Sequence, residues 1–184
     1  MSILGNPLTL GGGGAARKYL VKDGVAVNGN LVALGIKSSS SSAFQALAPS
    51  ISYGSGDVTL GFTATGNPSG AGIIYIDSSI DLSNYTTLFA RGTFRFYSAG
   101  SFSSLNLSVN AWTSIGNYQN ENRLFQDSVL GSNHDNILQI SQLGTLEFDV
   151  STYTSVALIG FNFGRTYGTN AGYANVALTD LWLE

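Results

Sequence analysis

Few side chains in this sequence are equipped for covalent chemistry. The single histidine, His134, sits in Ser132-Asn133-His134-Asp135. A nucleophilic triad needs a serine or cysteine presented by a shaped turn, and the chain has neither a Gly-x-Ser-x-Gly elbow nor any cysteine. His134 is therefore expected to be an exposed loop residue. Glu121, Asp127 and Asp135 are carboxylates of the kind a glycosidase pairs, but nothing in their spacing sets the separation which that chemistry requires. Gly11 to Lys18 has the glycines of a phosphate loop, yet Lys18 follows Arg17 instead of glycine and precedes Tyr19 instead of Ser or Thr. Without cysteine there is no thiolate metal site, and no loop has the ligand spacing of an EF-hand. No metal and no cofactor is expected, and the chain is read as acting without catalysis.

Binding chemistry is better represented. A sugar site needs flat aromatic faces with amides and charged groups beside them, because pyranose C–H faces lie against rings while hydroxyls need hydrogen-bonding partners. Trp112, Tyr118, Asn120, Asn122 and Arg123 have those types, joined by Tyr167 and Tyr173 from the turn expected at Arg165 to Gly172. The same residues also fit a bland reading, in which Trp112 is core and the tyrosines line a subunit interface, since aromatics anchor interfaces as well. Trp182, near the end of a terminal strand, is expected to pack.

These residues must be positioned by strands. From Thr87 to Tyr97 one parity holds Leu88, Ala90, Gly92, Phe94 and Phe96, and the other holds Thr87, Arg91, Thr93, Arg95 and Tyr97; only Phe89 breaks the pattern. Period two predicts a long strand with one face in a core and one in water. Similar alternation covers Val58 to Ala64, Leu105 to Val109, Leu146 to Val150, Val156 to Phe163 and Val176 to Leu183, the last with a parity change near Asp180 that suggests a bulge. Ile73 to Ile76 is apolar on both parities, as for a strand covered on both sides. Residues 116 to 136 lack a period and read as a long loop. Gly66 to Gly70 reads as a turn.

Ahead of these elements, Asn28-Gly29 between Tyr19 to Val27 and Leu31 to Ile36 predicts a hairpin, with a further turn at Asp23-Gly24. Ser38 to Ser42 reads as a linker, and Ala43 to Ala48 as one helical turn before Pro49. The chain is thus expected to be all-β, an antiparallel β-sandwich, jelly-roll-like, preceded by an extended Gly-rich N-terminal arm and a small hairpin. An immunoglobulin-like sandwich is the alternative topology. The expected divisions are an arm at 1–18, a hairpin or collar at 19–37, a Ser-rich linker at 38–49 and the sandwich at 50–184.

Composition narrows the partners. Only 10% of the 184 residues are charged, so hydroxyls and amides keep the surface in water. Residues 1–37 carry Arg17, Lys18, Lys22 and Lys37 against Asp23, a net +3, while the rest carries four arginines against ten acids, a net −6. A body without a basic face argues against nucleic acid. The N-terminus has neither a basic region before an apolar block nor a run long enough to span a bilayer, so no leader and no membrane insertion are expected. Ile3, Leu4, Leu8 and Leu10, followed by Gly11 to Gly14 and then Arg17 and Lys18, form an arm suited to anchoring on another protein.

Three stretches, IDLSNYTTLFARGTFRF (Ile80 to Phe96), LEFDVSTYTSVALIGFNFG (Leu146 to Gly164) and NVALTDLWLE (Asn175 to Glu184), carry a resemblance. The chain resembles the C-terminal carbohydrate-binding-like jelly-roll domains of head and tail appendage proteins in phages and prophages of Gram-positive gut bacteria. Its opening ILGNPLTLGGGG is similar to the start of small structural proteins of such phages. The resemblance implies a virion subunit, a head fibre, capsid decoration or tail appendage, joined to other virion proteins by its arm. An alternative is an adhesin that recognises host surface or mucus glycans. An arm too short to fold alone implies a closed homo-oligomer, and a fibre on a particle favours a trimer.

Overall fold

The computed structural model describes residues 16–36, 44–46, 48–64, 69–98, 102–115, 123–134, 138–168 and 172–184. In chain order the early strands are β1 (Lys18–Lys22), β2 (Val25–Ala26), β3 (Leu31–Ile36), β4 (Phe44–Ala46), β5 (Ala48–Tyr53) and β6 (Val58–Ala64). Then come β7 (Ser69–Ile76), β8 (Ile80–Asp81), β9 (Thr87–Ser98), β10 (Phe102–Trp112) and β11 (Arg123–His134). The last are β12 (Leu138–Asp149), β13 (Val156–Gly168) and β14 (Gly172–Leu183).

Two sheets face each other. Sheet one runs β12-β9-β14, and the far edge of β14 is shared by β6 along Gly172–Leu178 and by β1 along Leu181–Leu183, with β5 beyond β6 and β2 beyond β1. Sheet two runs β11-β10-β13-β7-β3, with the short β4 and β8 added on β7 and β13. Among the described residues the pairings are antiparallel except that of β4 with β7. Among the eight long strands the first pairs with the last (β6 with β14) and the second with the second-last (β7 with β13). β9 then lies between β14 and β12, and β10 between β13 and β11. A doubled chain rolled over one core in this nested order is a jelly roll, which decides between the two sandwich topologies.

The central strand is where its alternation places it. Leu88, Ala90, Phe94 and Phe96 are fully buried between the sheets, and Phe94 meets Phe161 of β13 at 6.4 Å between ring centroids. Phe89 belongs to the outer face, where it stacks on Trp182 at 4.9 Å. The parity change in β14 is a bulge: Leu178 pairs with Gly92 and Asp180 with Arg91, leaving Thr179 as the extra residue. Leu178 and Leu181, three residues apart, therefore both reach the core. Ile73 and Ile74 are both fully buried, as expected for a strand covered on both sides.

Five local expectations are corrected, the last of them in part. The hairpin turn is Asp23-Gly24, with φ of 49° and 74°, and it joins β1 to β2. Asn28-Gly29 instead carries the chain across to sheet two, because Asn28 Nδ2 donates to Tyr19 O at 2.7 Å while Asn30 and Asp77 exchange backbone and carboxylate hydrogen bonds that deliver β3 to β7. Phe44–Ala46, expected to be helical, is a strand beside β7, since pairing outweighs the weak propensity of one turn. The long aperiodic segment contains β11, whose alternation is erased by register shifts against β10 at Leu107/Ser108 and Ala111/Trp112. Arg165 to Gly168 and Gly172 are strand rather than turn. Of the turn at Gly66 to Gly70, residues 66–68 lie outside the described residues and the rest begins β7.

A corner motif occurs twice. In Asp81-Leu82-Ser83-Asn84-Tyr85 and in Asp149-Val150-Ser151-Thr152-Tyr153 the Asp Oδ1 accepts the serine N–H, at 2.9 Å in each, and the tyrosine N–H donates to the carbonyl of Leu82 or Val150. Leu82 and Val150 are buried, and both tyrosines pack on the core. The aspartate replaces a backbone acceptor just where a strand ends, which lets the next residue turn inward.

Candidate functional site

β9 and β14 lie side by side in the middle of sheet one, so their outward side chains form cross-strand pairs. From one end these are Phe89 with Trp182, Arg91 with Asp180, Thr93 with Ala177, Arg95 with Asn175, and Tyr97 with Tyr173. At the strand rise this ladder is about 27 Å long. Aromatic pairs close both ends: Phe89 and Trp182 are near-parallel at 8°, and the Tyr97 and Tyr173 centroids are 5.3 Å apart. Between them stand guanidinium, hydroxyl and amide groups.

The two ends differ. At the Trp182 end Arg17 lies over the indole with its Cζ 4.9 Å from the ring centroid, and its Nη2 is 3.2 Å from both carboxylate oxygens of Glu184. Trp182 Nε1 donates to the same carboxylate, and these two donors hold the Glu184 carboxyl below the usual range. Tyr19 completes the cover, which leaves Trp182 7% exposed. At the other end Tyr173 is 37% exposed, and toward β6 the small residues Thr63, Gly61 and Thr59 stand opposite Tyr173, Asn175 and Ala177. A Cβ on Gly61 would lie 2.6 Å from Ser50 Oγ and 3.4 Å from Asn175 Oδ1, so hydroxyl and amide converge over that bare position.

In mid-ladder the polar groups have separate commitments. Asp180, 2% exposed, accepts the Asp23 N–H at 3.0 Å and the guanidinium of Arg91. Arg95 is exposed and has no hydrogen bond or ion pair among the described residues. A depression of about 350 Å³ opens beside Arg91 and Thr93, walled by Asp57, Leu143 and Thr145.

The residues singled out from the sequence do not form one cluster. Trp112 is fully buried on the outer side of sheet two, packed with Ala71 and Ile73 and bordered by Tyr75 and Ile115. Arg123 is exposed opposite Trp112 across β10 and β11, where it donates to Gln126 Oε1. Tyr173 stands on the other sheet. Tyr167 belongs to β13, and Tyr118, Asn120 and Asn122 lie outside the described residues. Of the arm, Arg17 and Lys18 are described, whereas Ile3, Leu4, Leu8 and Leu10 are not. His134 ends β11 and is not in a loop. Asp127 accepts the neighbouring Ser128 N–H, and no group of three or more His, Asp or Glu among the described residues is placed to hold a metal. The ladder residues Arg95, Tyr97 and Asn175 are not among those candidates, although the polar parity of Thr87 to Tyr97 carries the first two.

No protein-family model matches the chain, and no curated protein matches it. Among solved structures it is similar to a family 16 carbohydrate-binding module, with 12% identity and a TM-score of 0.41 over 75% of this chain and 85% of that one. It is also similar to a family 11 carbohydrate-binding module from Clostridium thermocellum, solved with a β-1,3-1,4-mixed-linked tetrasaccharide, with 12% identity and a TM-score of 0.39 over 91% and 94% of the two chains. A third is the enzymatically active domain of tailspike protein 4 from bacteriophage CBA120, with 13% identity and a TM-score of 0.35 over 86% of this chain and 20% of that one. The likeness to all three is one of fold alone.

Proposed function

We propose that the protein is a non-catalytic glycan-binding module whose site is the outer ladder of β9 and β14. The observation that carries this reading is the row of cross-strand pairs, aromatic at both ends and hydrogen-bonding between. With the Trp182 end covered by Arg17 and Tyr19, the stretch from Thr93 to Tyr97 beside Asn175 and Tyr173 is the part that suits a polymer lying along the strands. The ring of Tyr173 offers an apolar surface to a sugar's C–H face, and Asn175 and Thr93 offer the donors and acceptors that hydroxyls need. Polysaccharide binding by the full chain, followed by affinity electrophoresis or calorimetry, tests it. Saturable binding that weakens about tenfold or more in Tyr173→Ala, with unchanged melting, is the expected result. If no polysaccharide binds, or if Tyr97→Ala and Tyr173→Ala both bind like the parent, the reading is wrong.

A second reading concerns how the module is displayed: residues 1–18 attach it to a virion as a trimeric head or tail appendage. Arg17 supports this, because its bonds to Glu184 fix the root of the arm beside the last strand, so the arm is anchored independently of the Tyr173 end of the ladder. Removing residues 1–16 should abolish attachment to the particle and leave glycan binding intact. A monomeric mass for the full chain by light scattering would exclude the trimer.

A further inference from the structure

We infer that the glycan bound by this ladder carries carboxylate groups, as in a uronic-acid polysaccharide, and that Arg95 is the residue that takes them; this rests on the glycan-binding reading above. Three arginines stand on the outer side of sheet one. Arg17 is committed to Glu184, and Arg91 to the buried carboxylate of Asp180. Arg95 alone of the three has no partner among the described residues.

Its position gives that free guanidinium a use. In a chain with 10% charged residues an ionic side chain is not the default means of staying soluble. Arg95 is flanked by Tyr97 two residues along its strand and faces Asn175 across to β14, beside the exposed ring of Tyr173. A planar fork of N–H donors matches a carboxylate with two parallel hydrogen bonds, which an ammonium cannot reproduce. The Asn175 amide is then placed for a neighbouring hydroxyl, and the Tyr173 ring for the sugar's apolar face. Among the described residues the acidic groups on this side of sheet one are placed toward the other end: Glu147 pairs with Phe89, Glu184 accepts from Trp182, Asp180 pairs with Arg91, and Asp57 borders the depression at Arg91. On the β12 side the partners of Arg95 and Tyr97 are Ser141 and Gln139, both uncharged.

The test uses the full chain with polygalacturonate, alginate and hyaluronan, each beside its carboxyl-reduced neutral counterpart, and with dextran sulfate. At least one acidic polymer is expected to bind about 10- to 100-fold more tightly than its reduced form, the range of a charge-assisted hydrogen-bonded pair. That preference should vanish in Arg95→Gln with unchanged melting, and Arg95→Lys should restore only part of it. Equal affinity for acidic and reduced forms, a preference that survives Arg95→Gln, or dextran sulfate binding as tightly as the carboxylated polymers would each overturn the inference. If only neutral glycans bind, and do so through Tyr173, the carboxylate assignment fails while the module reading stands. If nothing binds, both fail.

Discussion

Gly24 shows how much of sheet one depends on a single small residue. It has φ of 74°, its N–H donates to Thr179 O at the β14 bulge, and a Cβ there would lie 2.3 Å from the Asp57 backbone. No side chain fits, and L-residues avoid that conformation. Gly24→Ala should lower stability by at least about 1–3 kcal/mol in urea denaturation, the cost of a residue held in a disfavoured backbone region. An unchanged midpoint would mean that the turn moves freely away from the bulge. The same turn supplies the Asp23 N–H to Asp180, so loosening it also frees the carboxylate that occupies Arg91.

At the scale of elements, the repeated Asp-x-Ser corners make a pH prediction. The Ser83 backbone N–H lowers the Asp81 pKa, and the hydroxyl and N–H of Ser151 lower that of Asp149. A carboxyl whose folded pKa lies below its unfolded one stabilises the fold above the unfolded value, near 4, and loses that contribution as pH falls through the folded value. Stability of the parent should therefore decline as pH drops below about 4, and the double variant Asp81→Asn, Asp149→Asn should show a shallower decline. Both carboxylates are exposed, so the difference will be small. Parallel acid-unfolding curves for the two proteins would show that the corners do not hold their charge. The corners explain why D-L-S and D-V-S stand out in the sequence: they mark strand ends.

For the molecule as a whole, the proposed binding ladder and the buried Trp112 lie on the outer sides of different sheets. Trp112 is buried with Ala71 and Ile73 on the side of sheet two away from the ladder. Trp112→Ala should cost about 3–5 kcal/mol in stability, the usual range for removing a large buried aromatic. Glycan affinity of the remaining folded fraction should not change. A selective loss of affinity at unchanged stability would move the site to sheet two. Phe94→Ala, at the contact between the sheets, should be comparably destabilising.

Much of the fold was legible because its physical cause is local. The alternation of Thr87 to Tyr97 follows from side chains pointing to opposite faces of a strand, and the parity change at Asp180 follows from one extra residue in a ladder. Period two also placed Arg91, Thr93, Arg95 and Tyr97 on one face. It could not say that Asn175 and Tyr173 stand beside them, because β9 and β14 lie about eighty residues apart and register is set by sheet assembly. Nor could it choose between Asp23-Gly24 and Asn28-Gly29, two dipeptides with the same turn chemistry, since the choice depends on which strand receives the next segment. β11 was hidden because its bulges erase the period that reveals strands. Trp112 was named for its ring, but whether a ring meets water or core is decided by what packs over it. Residue types and period belong to the sequence; which side chains become neighbours belongs to the rolled topology, which alone brings an arginine, an amide and two tyrosines onto one open face.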